Sequence, residues 1–232
     1  MNFTNNIKQL ASYTSLERQD FLQRLVDNGV VIIDLLTVYV TPDIDVEPGT
    51  IILPNSYLLG NTKVGKDCII GPSSFISDTN IGDNCSIIFS VLEKAIVGNG
   101  VEIGPFAHLR KGAHLDDYVH MGNFGEIKNS YLASGTKMGH FSYIGDAVIG
   151  EGVNIGAGTI TCNYDGTKKH STKIGKNSFI GSDTMLVAPL DIGQNARTGA
   201  GSVVTKNIPD DTLVIGVPAR QKTESSAKTG KE

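Results

Sequence analysis

One interval constrains this chain more than any other property: along most of it, aliphatic residues recur every six positions. The series runs Val97, Ile103, Leu109, Leu115, Met121, Ile127; then Leu132, Met138, Ile144; then Ile149, Ile155; then Ile174, Ile180, Leu186, Ile192. Glycine often follows the aliphatic, as at 103, 155, 174, 180 and 192, and the fifth position of the hexad holds Ala107, Ala113, Val119, Ser142, Ser178, Thr184 or Ala196. A helix repeats near every 3.6 residues and an alternating strand every two, so neither yields a strict six. Such a repeat describes stacked units that bury a core only against their neighbours. Six residues suffice for a short strand and a corner, so three hexads close a triangular coil of about eighteen. The expected fold is all-β, a parallel β-helix.

The composition fits a slender prism. The 232 residues include 27 glycines and no tryptophan, with 40% hydrophobic content. A net charge of −4 gives no nucleic-acid footprint. The longest apolar stretch, 30–40, is interrupted by Asp34 and is too short for a membrane span. The N-terminus reads as lacking a signal peptide. Of three cysteines, Cys68 and Cys85 occupy inward fifth positions and read as buried hydrophobes, which favours a cytoplasmic location.

Residues 1–45 read as a helical segment and lead-in. Thr14 and Glu17 suit a capping box, Leu16, Phe21, Leu22, Leu25 and Val26 form a stripe, and Gly29 stops a helix over 14–28. Pro42 and Pro48 mark turns, and the β-helix is expected over 46–220, irregular at first and regular from Val64. Between Thr161 and Ile174 the repeat fails, so 161–173 should be extruded as a loop with turn chemistry at Asp165-Gly166. Residues 221–232 read as a polar, disordered tail.

Because each coil returns to the same edge about 4.8 Å higher, register becomes geometry. Two hexads, 127–131 and 144–148, are one residue short, so positions are counted by hexad. Arg110 and Lys128 then share a second position one coil apart. Two cations so stacked repel by about 1 to a few kcal/mol where screening is incomplete, which is relieved if they converge on an anion or splay into solvent. His140, Ala157, Ser182 and Ala200 share a third position in successive coils. An imidazole at the foot of three small side chains, over about 14 Å, outlines a groove for a long thin ligand, and an acyl-pantetheine chain has that shape. His108, His114 and His120 fall on three different faces, so they form no ligand triad within one chain and no metal is expected. Cys162 has no evident partner to orient it as a nucleophile.

Several strings are more specific than the repeat: IGPFAHLRKGAHL (103–115), GNFGEIKNS (122–130), GHFSYIGDAVIG (139–150), VNIGAGTITCNYDGTKKH (153–170) and FIGSDTMLVAP (179–189). They resemble the acetyltransferase half of the bacterial bifunctional glucosamine-1-phosphate acetyltransferase / N-acetylglucosamine-1-phosphate uridylyltransferase family. The resemblance, and not the repeat, implies a left-handed, homotrimeric β-helix; hexad counting puts Asn154 on a different face from Lys128 and Tyr143, so the active site is expected between subunits. It implies His140 as general base and Asn163 holding amine and acetyl group; hexad counting sets Glu126 near His140, where it would orient the imidazole. It implies Arg110, Lys128, Tyr143, Asn154 and Lys169 on the sugar phosphate. It also implies Ala157, Tyr164, Ser182 and Ala200 along acetyl-CoA, the co-substrate.

Two departures stand out. No GxGTRM-type nucleotide loop precedes the β-helix, so uridylyl transfer is not expected. The family's Ser-Arg before Val-Pro is replaced by Gly216-Val217-Pro218-Ala219-Arg220, which leaves Arg220 as the substitute contact for CoA phosphates. The expected activity is acetyl transfer from acetyl-CoA to glucosamine 1-phosphate, a small-molecule reaction without nucleic acid or membrane. The alternatives are acetyl transfer to a nucleotide-linked amino sugar and a non-catalytic trimeric scaffold.

Overall fold

The computed structural model describes residues 3–222; the expected tail beyond Lys222 lies outside them. Among the described residues three sheets of twelve, ten and nine strands run the length of the molecule, each strand hydrogen-bonded to the strand one coil away. The chain visits the faces in rotation until its last two strands, and the solenoid is of the left-handed type with about ten turns. Face A carries Glu102–Ile103, His120–Met121 and Asn154–Ile155; face B carries His108–Leu109, Gly125–Lys128 and Ser142–Gly145; face C carries His114–Leu115 and Tyr131–Leu132.

Inward residues stack on themselves. Leu92, Leu109, Ile127 and Ile144 lie in register on face B and are fully buried, and Cys68 and Cys85 are buried as the fifth-position reading expects. Glycine follows so many of these aliphatics because the coil above passes directly over it. A Cβ on Gly122 would run into the backbone of Gly139, and one on Gly156 into that of Gly181 and Ser182.

The corners explain the short hexads. In a six-residue step the third residue after the aliphatic has positive φ, as at Asp67, Phe106, Tyr118 and Phe124. In a five-residue step the second residue does so, as at Asp78, Phe89, Lys94, Asn129 and Asp146. Besides the two short steps read from sequence, three more occur: Ile76 to Ile81, Ile87 to Leu92 and Leu92 to Val97. Moving the left-handed residue one place earlier tightens the turn without disturbing the inward row.

The lower boundary differs from expectation. Val31–Ile32 already pairs with Ile51–Ile52, and Tyr39–Val40 with Tyr57–Leu58, so coiling begins near residue 31 and not 46. The six-residue spacing runs from Val64 back through Leu58, Ile52 and Val46 to Val40, and Pro42 and Pro48 sit at its corners instead of interrupting it.

Two helices close this end. Helix α2 (Ser15–Asp27) starts at Thr14 with the expected capping box to Glu17 and ends ahead of Gly29, whose φ is +88°. Leu22 and Leu25 are its buried residues, whereas Leu16 (73% exposed) and Val26 face outward, so the buried stripe is narrower than expected. Helix α1 (Phe3–Ser12) was not anticipated. Its anchor is polar: buried Asn6 donates from Nδ2 to Ser77 Oγ at 2.7 Å and Asp78 Oδ2 at 3.2 Å. No helix among the described residues is long and apolar enough to cross a membrane.

At the other end Arg220–Gln221 turns back antiparallel onto Leu213–Ile215, so the segment expected to start the tail begins inside a sheet.

Candidate active site

The two rows read from sequence stand on opposite edges of face B. On the B–C edge Arg110 is stacked under Lys128, since Leu109 pairs with Ile127 and the Arg110 amide donates to Ile127 O. Above them the repeat is broken by a compact hairpin. Its flanks remain in the sheets, because Ile160–Cys162 pairs with Met185–Val187 and Thr172–Ile174 with Leu190–Ile192; the extruded part is 163–171, not 161–173. Tyr164 bridges to Lys169, and the Asp165 carboxylate accepts from the Thr167 and Lys168 amides at 2.8 Å each and contacts His170 Nε2 at 2.6 Å. The Lys168 amide, then His170 and the Thr167 amide, hold the Asp165 carboxyl down to about 2.

The hairpin brings Lys169 against Lys128. The Lys169 ammonium, and beyond it the Arg110 guanidinium, depress the pKa of Lys128 below the usual lysine range. Buried Asn163 donates from Nδ2 to Asp146 Oδ2, and Asp146 also accepts from Asn129 Nδ2 at 2.6 Å. Asp146 was missed in the sequence; the short hexad 144–148 marks only a tight corner there, where Asp146 has φ 52°. The Tyr143 hydroxyl lies over Gly145 beside Asn163, where a glycine Cβ would collide with it. Thus Arg110, Lys128, Tyr143, Asn163 and Lys169 converge on one edge, three of them cationic.

Glu126 departs from its expected partner. Its Oε1 accepts from Arg110 NH1 at 2.7 Å, and this bond raises the pKa of Arg110 against the opposing effect of burial. Among the described residues His140 has no side-chain hydrogen bond, so within one chain Glu126 orients Arg110 and not His140.

The A–B edge carries the other row. Met138 pairs through Met121, and Ile155 through Ile180, so His140, Ala157, Ser182 and Ala200 rise in line above Asn123. His140, Ser182 and Ala200 are exposed and Ala157 is half-buried. Arg220 lies on the returning strand, paired with Ile215, two strand spacings above the coil of Ala200. Asn154 lies outward on face A between Lys137 and Phe179, and Tyr164 is exposed on the hairpin, so neither joins this row within one chain.

Burial pushes the Cys162 thiol up, which disfavours the thiolate a nucleophile needs. His108, His114 and His120 occupy faces B, C and A; the first contacts Glu93 at 3.0 Å and the last Glu102 at 2.9 Å. Among the described residues no group of three or more His, Cys, Asp or Glu could hold a metal.

The hexapeptide-repeat signature of bacterial transferases (six repeats) matches residues 43–78 and 171–206. The bifunctional protein GlmU of Carboxydothermus hydrogenoformans is 49% identical over 211 residues, covering 91% of this chain and 47% of that protein. GlmU of Fervidobacterium nodosum is 45% identical over 228 residues, covering 98% of this chain and 50% of that one. Over nearly its whole length the chain is similar to one half of the GlmU proteins. It spans about half the length of these relatives. Among solved structures, the UDP-N-acetylglucosamine acyltransferase LpxA of Bacteroides fragilis is 18% identical with a TM-score of 0.54, covering 78% of this chain and 73% of that chain. The Francisella novicida UDP-N-acetylglucosamine acyltransferase is 17% identical with a TM-score of 0.53, covering 82% and 68%. At these identities the likeness concerns the fold.

Proposed function

We propose that this β-helix transfers the acetyl group of acetyl-CoA to the amine of glucosamine 1-phosphate. The observation that carries the reading is the division of face B between a cationic edge and a histidine edge. A sugar 1-phosphate laid across the face puts its phosphate on Arg110, Lys128 and Lys169 and its amine toward His140. Phosphate is a fitting occupant for an Arg with two lysines, because a dianion offsets their mutual repulsion.

His140 accepts the proton that the attacking amine loses. The amine nitrogen forms a bond to the thioester carbonyl carbon, the tetrahedral adduct collapses, and the C–S bond breaks. The CoA thiolate leaves and takes up a proton. No acyl-enzyme is needed, which agrees with the raised Cys162 thiol. The pantetheine arm rises along Ala157, Ser182 and Ala200, and Arg220 above them meets its phosphates.

A threefold assembly completes the site in this reading. Asn154 faces away from face B, and Asn163 and Tyr164 stand across the face from the pantetheine row, so their contacts come from neighbouring copies. The A–B edge also exposes Phe89, Phe106, Phe124 and Phe141 in successive coils, with ring centroids 5.7 and 5.3 Å apart over the first two steps. A second copy covers this apolar seam.

The test is thiol release from acetyl-CoA. His140→Ala is expected to lower kcat by about 10²-fold or more while acetyl-CoA affinity survives. Undiminished turnover removes His140 from the mechanism. A fully active monomer by light scattering removes the intersubunit site.

A further inference from the structure

The cationic edge continues below the phosphate clamp. A cavity of about 230 Å³ opens along the B–C edge beneath Lys128, lined by Lys94, Arg110, Lys111 and Lys128 together with Asp78 and Glu93. Its two carboxylates are engaged elsewhere. Asp78 accepts from Asn6 at 3.2 Å and Ser77 at 3.3 Å, and Glu93 contacts His108 Nε2 at 3.0 Å. Among the described residues neither Lys94 nor Lys111 has an ion-pair partner.

The corner geometry delivers both lysines to this place. The neighbouring B–C corners are tight, with the positive-φ residue second after the aliphatic: Lys94 (φ 50°), Asn129 (φ 47°) and Asp146 (φ 52°). Between them the coil of Leu109 turns a wide corner, with Gly112 (φ 82°) third. The extra residue of that corner is Lys111. Cations therefore stand at three successive levels, Lys94, then Arg110 with Lys111, then Lys128, over two strand spacings or about 10 Å. With Glu126 on Arg110 and one monoester phosphate at Lys128, Lys94 and Lys111 are still left without a counter-charge among the described residues.

We infer that this cavity is a second phosphate subsite, so that the acceptor site receives a diphosphate, the linkage found in nucleoside-diphosphate amino sugars. The inference rests on the anion-clamp reading of Arg110 and Lys128 given above and extends it to a larger acceptor class. Lys94 and Lys111 are binding residues in this account, and the reacting amine still meets His140.

Calorimetry on the full chain with inorganic pyrophosphate and inorganic phosphate tests it. Pyrophosphate is expected to bind about 10-fold tighter than phosphate, and Lys94→Gln/Lys111→Gln to bring the ratio to within about twofold. Circular dichroism of the double variant controls for folding. Equal affinities in the parent, or a preference that survives the double substitution, overturns the subsite. Acetyl transfer to glucosamine 1-phosphate is measured alongside. Turnover without the pyrophosphate preference sinks the subsite alone, whereas the preference without turnover sinks the acetyl-transfer reading and leaves the subsite standing. UDP-glucosamine and UDP-N-acetylglucosamine distinguish the source: turnover of the first marks an acceptor, and competitive inhibition by the second without such turnover marks a product-like ligand.

Discussion

Arg110 and Glu126 show what residue-level geometry adds to register. Counting hexads placed Arg110 under Lys128 correctly, because stacking depends on backbone alone. It could not tell that the Glu126 side chain reaches down and sideways to Arg110 at 2.7 Å, since that choice is made by rotamers. The pairing has a kinetic consequence. A carboxylate that positions the clamp affects sugar-phosphate binding, whereas one that orients His140 affects the pH profile of the base. Glu126→Gln is therefore expected to change KM for glucosamine 1-phosphate by several-fold and to leave the acid limb of the kcat–pH curve in place. A displaced limb would instead couple Glu126 to the imidazole, through a neighbouring copy. His140 and its row of small residues were legible for the same reason as the cations; Asp146 was not, because its importance lies in two side-chain bonds.

At the scale of elements, the hairpin 163–171 is a locally determined structure mounted on a rigid base. The failure of the six-residue repeat located it, but its ends could not be read, because Thr161, Cys162 and Thr172 keep their sheet positions without an aliphatic to announce them. Its turn depends on Asp165, whose folded-state carboxyl titrates near 2, below the unfolded value of about 3.9. A depressed carboxyl contributes order above the unfolded pKa and loses it as pH falls through the folded one. Hydrogen-exchange protection of the His170 amide, which donates to Asn163 O at 2.8 Å, should hold from pH 8 to about 5 and fail between about 4 and 2. Asp165→Ala should abolish that protection at neutral pH while the coil amides keep theirs; unchanged protection would move the determinant elsewhere. Helix α1 escaped the sequence reading because its FTNNIKQLAS segment has no acidic first turn or basic last turn and its anchor is an asparagine, not an apolar stripe. The first coil escaped because prolines at its corners mimic an interruption.

For the whole molecule the repeat was the most legible property, since six-residue spacing determines the closed cross-section regardless of side-chain detail. What it does not specify is where stacking stops. Each face is a parallel sheet with a first and a last strand, and such strands offer unpaired backbone groups to any similar edge. Helix α2 packs on the first strands of faces A and B. Residues Arg220–Gln221 meet the last strand of face A, running against the direction of every other strand pair in the sheets. That reversal matters beyond its size. A strand laid the wrong way round cannot serve as the template for another coil of the same hand, so it acts as a terminator for an otherwise indefinitely extendable rod. Removing residues 217–222 should therefore leave the coils folded but join particles end to end, visible as filaments or as a concentration-dependent rise in sedimentation coefficient; a truncated protein of unchanged size would show that growth is halted by other means.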